Sequence, residues 1–237
     1  MKRAVGPEER SAVQNAKTLG EVAYQRLRTD ILWGRAAPGV PLRSADLQNT
    51  YKFGVSPLRE ALTRLTAEGL VTTEGQRGFR VAPISAGEVK DVLRSRLLIE
   101  SEALRLAIAA GDPDWESEVL ASFHRLSRAA PPDQPGAGAE LWAKRHWEFH
   151  RSLLAASGSP ILIGYAAGLF DKAERYRLLD VQAIARSNQP RDTASEHEII
   201  MQAALNKDAD AAVAALRKHY KRTADDAIAS LGVKALA

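Results

Sequence analysis

Apolar positions first fall into step at Val22, Ala23, Leu27 and Ile31, the three- and four-residue spacing of a helix with one buried face. Thr18 stands three residues ahead of Glu21 and predicts a capping box, the hydroxyl accepting the Glu21 amide while the carboxylate reaches back. Ala37-Pro38-Gly39-Val40-Pro41 cannot continue a helix and predicts a turn. Two short helices follow. One runs from Ser44 to Tyr51; the second opens with Ser56 as N-cap and Pro57 at the first helical position, and Gly69 ends it. Leu58, Ala61, Leu62 and Leu65 form its apolar face, while Arg59, Thr63 and Thr66 lie opposite, with Arg64 at the edge. The period then changes to that of strands at Leu70-Val71-Thr72-Thr73 and Phe79-Arg80-Val81, around a glycine-bearing tip, Glu74-Gly75-Gln76-Arg77-Gly78.

From Ser85 onward every pattern is helical. Ser85 to Glu88 predicts a capping box opening a long helix through Ala110, Asp112-Pro113 a second start, Ser159-Pro160 a third, and Thr193 to Glu196 another capping box. Leu141 to Ala156 forms one of these helices, Ala129 to Ala139 reads as a loop, and the last helix runs to about Leu231. The predicted fold is therefore mainly α. It divides into a flexible tail over 1–16, a winged helix-turn-helix of three helices and a two-stranded wing over 17–83, and an all-α antiparallel bundle over 84–232.

Charge sharpens this division. Residues 1–83 hold thirteen Lys and Arg against eight Asp and Glu, whereas the remainder holds twenty against twenty-one. A basic head on a neutral body suits nucleic acid, although a merely solvated basic face reads the same way. The absence of Cys excludes disulfides, thiolate metal sites and thiol nucleophiles. No apolar run approaches a membrane span, and the N-terminus has no apolar signal core, so the chain is expected to be cytoplasmic.

In a winged helix-turn-helix the second short helix enters the major groove. Arg43, Ser56, Pro57, Arg59, Thr63, Arg64, Arg77 and Gly78 are accordingly the candidate DNA-binding residues. In the bundle, His146 and His150 stand four apart and project from one helix face, close enough to share an ion, while His197 and His219 lie on the last two helices. Each also reads as an ordinary interior or surface imidazole. His124, between Phe123 and Arg125, is assigned a structural role.

The N-terminal run Pro38-Gly39, Val55-Ser56-Pro57-Leu58-Arg59-Glu60-Ala61-Leu62, Glu68-Gly69-Leu70-Val71 and Arg77-Gly78-Phe79-Arg80-Val81 resembles the signature of the GntR family of bacterial transcription regulators. The resemblance implies that Arg59 contacts operator DNA and that Gly78 is the wing glycine. Val55 stands where the family commonly has a second Arg, so the operator is expected to differ from the commonest family sequence. Arg96-Leu97-Leu98-Ile99-Glu100, His146-Trp147-Glu148-Phe149-His150, Glu196-His197 and His219 resemble the FCD effector domain of the FadR subfamily, in particular its VanR-like metal-containing members. That resemblance implies a metal held by His146, His150, His197 and His219, with zinc first among zinc, nickel, iron and copper. His146 replaces the family's usual Asp, which by itself leaves a dicationic centre with a divalent ion. It further implies a carboxylate effector at the ion, paired with Arg96, with Arg175 and Tyr176 as further pocket candidates. A salt bridge from Arg96 to Glu100 is the alternative reading of that arginine.

The chain also resembles a smaller branch, the carbon-starvation-induced regulators of glutarate and 4-aminobutyrate catabolism. The shared features are Gly54-Val55 ahead of Pro57-Leu58-Arg59, Arg145-His146 with Phe149-His150, Leu169-Phe170-Asp171, and Arg175-Tyr176-Arg177. The expectation is a homodimeric repressor that leaves its palindromic operator when a small dicarboxylate binds. Two other classes compete: a metal-dependent hydrolase using the histidines, which lacks a placed general base, and a DNA-architecture protein with a structural metal, which would bind without sequence preference.

Overall fold

The computed structural model describes residues 18–73, 75, 78–129, 137–184 and 191–234. The predicted tail over 1–16, Arg77 and most of the 129–139 loop lie outside them. The chain divides into two compact units, Met1–Ile31 with Ala36–Ala82, and Leu32–Arg35 with Pro83–Ala237.

In the first unit, helix α1 (Leu19–Leu32) starts where Thr18 Oγ1 accepts the Glu21 amide at 3.1 Å. Its inner face is Ala23, Tyr24, Leu27 and Ile31. Val22, expected on that face, is only half-buried, and the Tyr24 ring takes the place instead. Helix α2 (Ser44–Tyr51) contributes Leu47 and ends at Lys52 in the left-handed region. Helix α3 (Val55–Ala67) buries the expected Leu58, Ala61, Leu62 and Leu65. It begins earlier than expected: Gly54 is the N-cap, and Ser56 and Pro57 occupy the second and third helical positions. The first-turn amides have no intrahelical partner, so a residue without an N–H fits there as readily as at the first position.

The wing has a third strand that the sequence pattern does not announce. Strands β1 (Pro41–Leu42), β2 (Val71–Thr73) and β3 (Phe79–Val81) form an antiparallel sheet in the order β1-β3-β2. Leu42 stands opposite Phe79 and Val71 opposite Val81. Gly39, with φ of 79°, turns the chain so that its amide reaches the Val81 carbonyl at 3.0 Å. The expected turn therefore holds, but its last residue starts a strand. Pro41, which cannot donate to a ladder, sits on an edge strand where no donor is required.

The second unit is helical among the described residues: α4 (Ala86–Ala110), α5 (Pro113–Ser127), α6 (Ala137–Leu154), a tight turn at Ala155–Ser157, α7 (Pro160–Ile184), α8 (Thr193–Leu205) and α9 (Ala209–Lys234). Ser85 accepts the Glu88 amide and Asp112 the Trp115 amide, so both expected starts stand. At α8 the cap is one residue earlier than expected. Asp192 accepts the Ser195 amide at 3.0 Å, which leaves the Glu196 carboxylate available for the interior. Leu104, Val119, Phe149, Leu153, Ile200 and Leu216 centre the core. Within this core the Ser122 and Ser152 hydroxyls meet at 2.7 Å, and the Trp115 indole donates to the Ser152 carbonyl.

Candidate metal centre and nucleic-acid interface

His146 and His150 come from one face of α6, His197 from α8 and His219 from α9, and all four are buried, at most 4% exposed. Each offers a ring nitrogen to a group in which all lie within 4.8 Å of one another. His146 Nε2 is 3.0 Å from His150 Nε2 and 3.1 Å from His197 Nε2. Ligand nitrogens on a four-coordinate zinc, at bonds of about 2.0–2.1 Å, stand roughly 3.3 Å apart, within the span observed. Lone pairs that converge this closely repel unless a proton or a cation lies among them, so this donor set fits a cation.

The outer nitrogens are directed by oxygen atoms. His219 Nδ1 lies 2.8 Å from a Glu196 carboxylate oxygen, and His150 Nδ1 lies 3.1 Å from the Tyr220 hydroxyl. Tyr220 gives its single proton to Glu100 at 2.6 Å, so His150 must donate to Tyr220. His150 thereby carries its hydrogen on Nδ1, and the Glu196 carboxylate, closer to His219 Nδ1 than the Arg191 nitrogen at 3.2 Å, favours the same form there, leaving Nε2 bare as a metal requires. The buried Glu174 carboxylate stands 3.7 Å from His146 Nδ1. The expectation of a bare dicationic centre therefore needs amendment: His146 brings no charge, but carboxylates surround the imidazoles one layer out. Trp142 stacks on His146 with ring centres 4.6 Å apart, and Phe170 lies beside it, so the cluster is walled from water.

Burial pushes the His219 pKa down to about 4, against the help of Glu196. Burial would raise the Glu196 carboxyl, but hydrogen bonds from His219 and Arg191 outweigh it and hold the group well below the usual carboxylate range. The His219 shift gives a prediction for metal-stripped protein. An imidazole whose folded pKa lies below its unfolded one stabilises the fold fully above pH 6.5 and loses that contribution as pH falls towards 4. The loss from His219 alone is about 3 kcal/mol. Urea titrations of chelated protein between pH 7.5 and 4.5 should show midpoints falling with pH, by less in His219→Gln; equal slopes for the two proteins would refute the assignment.

Arg96 is 5% exposed and forms an ion pair with Glu100 at 2.6 Å, with its guanidinium over the Tyr220 ring at 3.6 Å. The salt-bridge reading of Arg96 thus describes the structure, and Glu100 holds the guanidinium above its usual pKa although burial opposes it. Glu100 engages Nε and one terminal nitrogen. Arg96 and Tyr176 border one small cavity together with Tyr220 and Thr223. Arg175 is turned instead toward Glu88, 3.4 Å away. Glu148, which lies between His146 and His150 in sequence, pairs with Arg145 on the helix surface. His124 is exposed.

In the first unit, Arg43, Ser56, Arg59, Thr63 and Gly78 are exposed and Pro57 is half-buried. Arg43, Val55, Arg59 and Gly78 line one cleft between the start of α3 and the wing. Gly78 has φ of 96°, a conformation that suits glycine. Thr63 donates its hydroxyl back to the Arg59 carbonyl. Arg64 pairs with Glu21 at 2.6 Å and lies 3.8 Å over the Tyr24 ring, with its side chain 42% exposed. It ties α3 to α1.

Residues 91–222 match the FCD domain family, and residues 19–81 match the bacterial regulatory proteins of the gntR family. The chain belongs to the GntR family of bacterial transcription regulators. As a GntR-family protein it is 37% identical over 197 residues to the HTH-type transcriptional repressor GlaR of Escherichia coli K12, covering 83% of this chain and 90% of GlaR. It is 36% identical to BphR of Paraburkholderia xenovorans, an HTH-type transcriptional regulator, across 88% of this chain and 85% of that one. Among solved structures, a GntR family member from Pseudomonas syringae is 25% identical with a TM-score of 0.54, covering 92% of this chain and 88% of that chain. A GntR-type protein from Rhodococcus sp. RHA1, 19% identical, shares the fold with a TM-score of 0.69, covering 89% and 97%. A GntR head joined to an FCD domain is the composition of the FadR-like branch. These domains and relatives are transcription regulators, which sets the hydrolase reading aside.

The sequence reading did not single out Tyr220, Glu174 or Arg191. Tyr220 adjoins a candidate ligand and Glu174 adjoins Arg175, so each had a neighbour that pointed to it. Nothing in the sequence marks Arg191, which precedes α8 in a stretch without periodicity.

Proposed function

We propose that this DNA-binding regulator is a homodimeric repressor of an operon for carboxylic-acid breakdown, released from a palindromic operator when a small dicarboxylate binds beside a His-held metal. The observation that carries the reading is the convergence of four buried imidazoles on one point. His146, His150, His197 and His219 would hold a divalent transition metal, zinc first, with nickel, iron or copper as the other candidates. A metal held by four imidazoles can take a further oxygen ligand, which is the chemistry a carboxylate effector needs. Arg96, with Tyr176 at the same cavity, would take the effector's second carboxylate through the guanidinium edge that Glu100 leaves. The repressor role draws on the likeness to GlaR, itself a repressor. No helix among the described residues is long and apolar enough to cross a membrane, and a reader of operator DNA works in the cytoplasm with the chromosome.

Arg43, Ser56, Pro57, Arg59, Thr63 and Gly78 form the reading surface, with Arg59 at its centre. Once DNA fragments have been selected by the purified protein, Arg59→Ala should weaken binding to the selected sequence by roughly 5- to 150-fold, the 1–3 kcal/mol of one base contact, and relax discrimination at one position. Undiminished affinity and selectivity would remove Arg59 from the interface. For the sensor, calorimetric titration of metal-loaded protein with glutarate and its shorter homologues should give heat at one site per chain. No heat with any of them would refute the dicarboxylate.

A further inference from the structure

Just ahead of α8, Arg191 lies in none of the three ligand-bearing helices, yet its side chain is only 10% exposed. Its nitrogens are used in every direction. Nε donates to both Glu196 oxygens at 3.0 and 3.1 Å, and one terminal nitrogen donates to Glu196 at 2.5 Å and to the His219 carbonyl at 2.9 Å. The other donates to Thr223 Oγ1 at 3.0 Å and to Asp226 at 3.2 Å. Residues 219, 223 and 226 follow the helical spacing of one face, so a single guanidinium spans two turns of α9 while gripping the first turn of α8.

Glu196 Oε2, the carboxylate oxygen that Arg191 grips, lies 2.8 Å from His219 Nδ1, closer than the Arg191 terminal nitrogen at 3.2 Å, so the shorter contact favours a proton on Nδ1. Arg222 adds a third donor to the carboxylate at 2.6 Å, but it is 51% exposed and approaches from outside. Arg191 therefore controls where the Glu196 oxygen stands, and Glu196 controls which way the His219 ring faces. His197, the next residue after Glu196, follows it directly on α8. The spacing between the α8 ligand and the α9 ligand is thus set by this contact.

We infer that Arg191 is a positioning residue of the metal centre, acting through Glu196 to hold His219 in its Nδ1–H tautomer and to fix α8 and α9 at the separation the ion requires. The inference rests on the metal reading above. It also accounts for an arginine at this point: an ammonium cannot form the planar, two-armed grip on Glu196 while reaching Thr223 and Asp226.

The test uses the full chain stripped by a chelator and titrated with zinc against a chromophoric competitor. Arg191→Ala is expected to weaken zinc binding about 10- to 100-fold, the range for loss of an outer-layer partner, with Arg191→Lys between it and the wild type. Melting temperature is measured with and without zinc, because a purely structural staple lowers both equally, whereas a positioning residue reduces the increment that zinc adds. In metal-free protein, imidazole nitrogen NMR should show the His219 Nδ1–H form in the wild type and a tautomer mixture in Arg191→Ala. If Arg191→Ala does not fold, Arg191→Lys carries the same three readouts. A variant that binds zinc within twofold of the wild type, with equal losses of stability in both states, overturns the inference alone. A wild type that takes up no zinc overturns the metal reading and this inference together.

Discussion

Glu100→Ala is expected to destabilise the helical domain by about 3–5 kcal/mol, the cost of leaving a buried charge without its partner. Glu100 has no exposed surface and Arg96 almost none, so water cannot replace the lost carboxylate. The substitution also strips Tyr220 of the acceptor for its hydroxyl proton, and Tyr220 is the group that orients His150. For a protein of this size the loss corresponds to a fall in melting temperature of roughly 6–20 °C. Lys221 and Asp225, an ion pair 68% and 55% exposed at their side chains, provide the contrast. Breaking it by Asp225→Ala should change stability by less than about 1 kcal/mol, because water screens both charges. If thermal or urea unfolding places Glu100→Ala within 1 kcal/mol of the wild type, the pair is not the buried ion pair described here. The double variant Arg96→Met with Glu100→Leu should recover much of the loss, since it removes both charges at once.

His150→Ala is expected to lower zinc affinity by about two to three orders of magnitude. Structural zinc sites with four ligands bind with roughly 10–16 kcal/mol, so one ligand in four is worth roughly 3–4 kcal/mol. His150 is 1% exposed, and its outer nitrogen is fixed by Tyr220. His124→Ala, which removes an exposed imidazole on α5, should leave zinc affinity unchanged. Competition titration decides both, with circular dichroism of the metal-free variants confirming that they remain folded. Zinc affinity within threefold of the wild type in His150→Ala would remove this residue from the ligand set.

The parts of this fold that were legible in the sequence are those with a long enough period to read. The α3 face of Leu58, Ala61, Leu62 and Leu65 repeats over two turns, and its burial follows from that repeat alone. Strand β1 has only Pro41 and Leu42, too short to show alternation, and its partner β3 is distant in sequence, so it passed for the end of a turn. At α3, Gly54 and Ser56 both suit an N-cap, and the structure uses Gly54. At α8, Asp192 and Thr193 competed in the same way. In the helical domain, His146 and His150 announced themselves by their spacing. Their meeting with His197 and His219 depends on how α6, α8 and α9 pack, for which resemblance to FCD domains supplied what periodicity could not. For Arg64, at the edge of α3, nothing in the sequence signals its pairing with Glu21 and Tyr24 of α1, which depends on how α1 and α3 pack.

The coupling between the two domains is tested most directly by operator affinity in four states, zinc-loaded and chelated, each with and without glutarate. The account predicts tight binding by the zinc-loaded protein, at least tenfold weakening when glutarate is added to it, and no effect of glutarate once zinc is removed. Equal affinity in the two zinc-loaded states, or a glutarate effect that survives chelation, would contradict it.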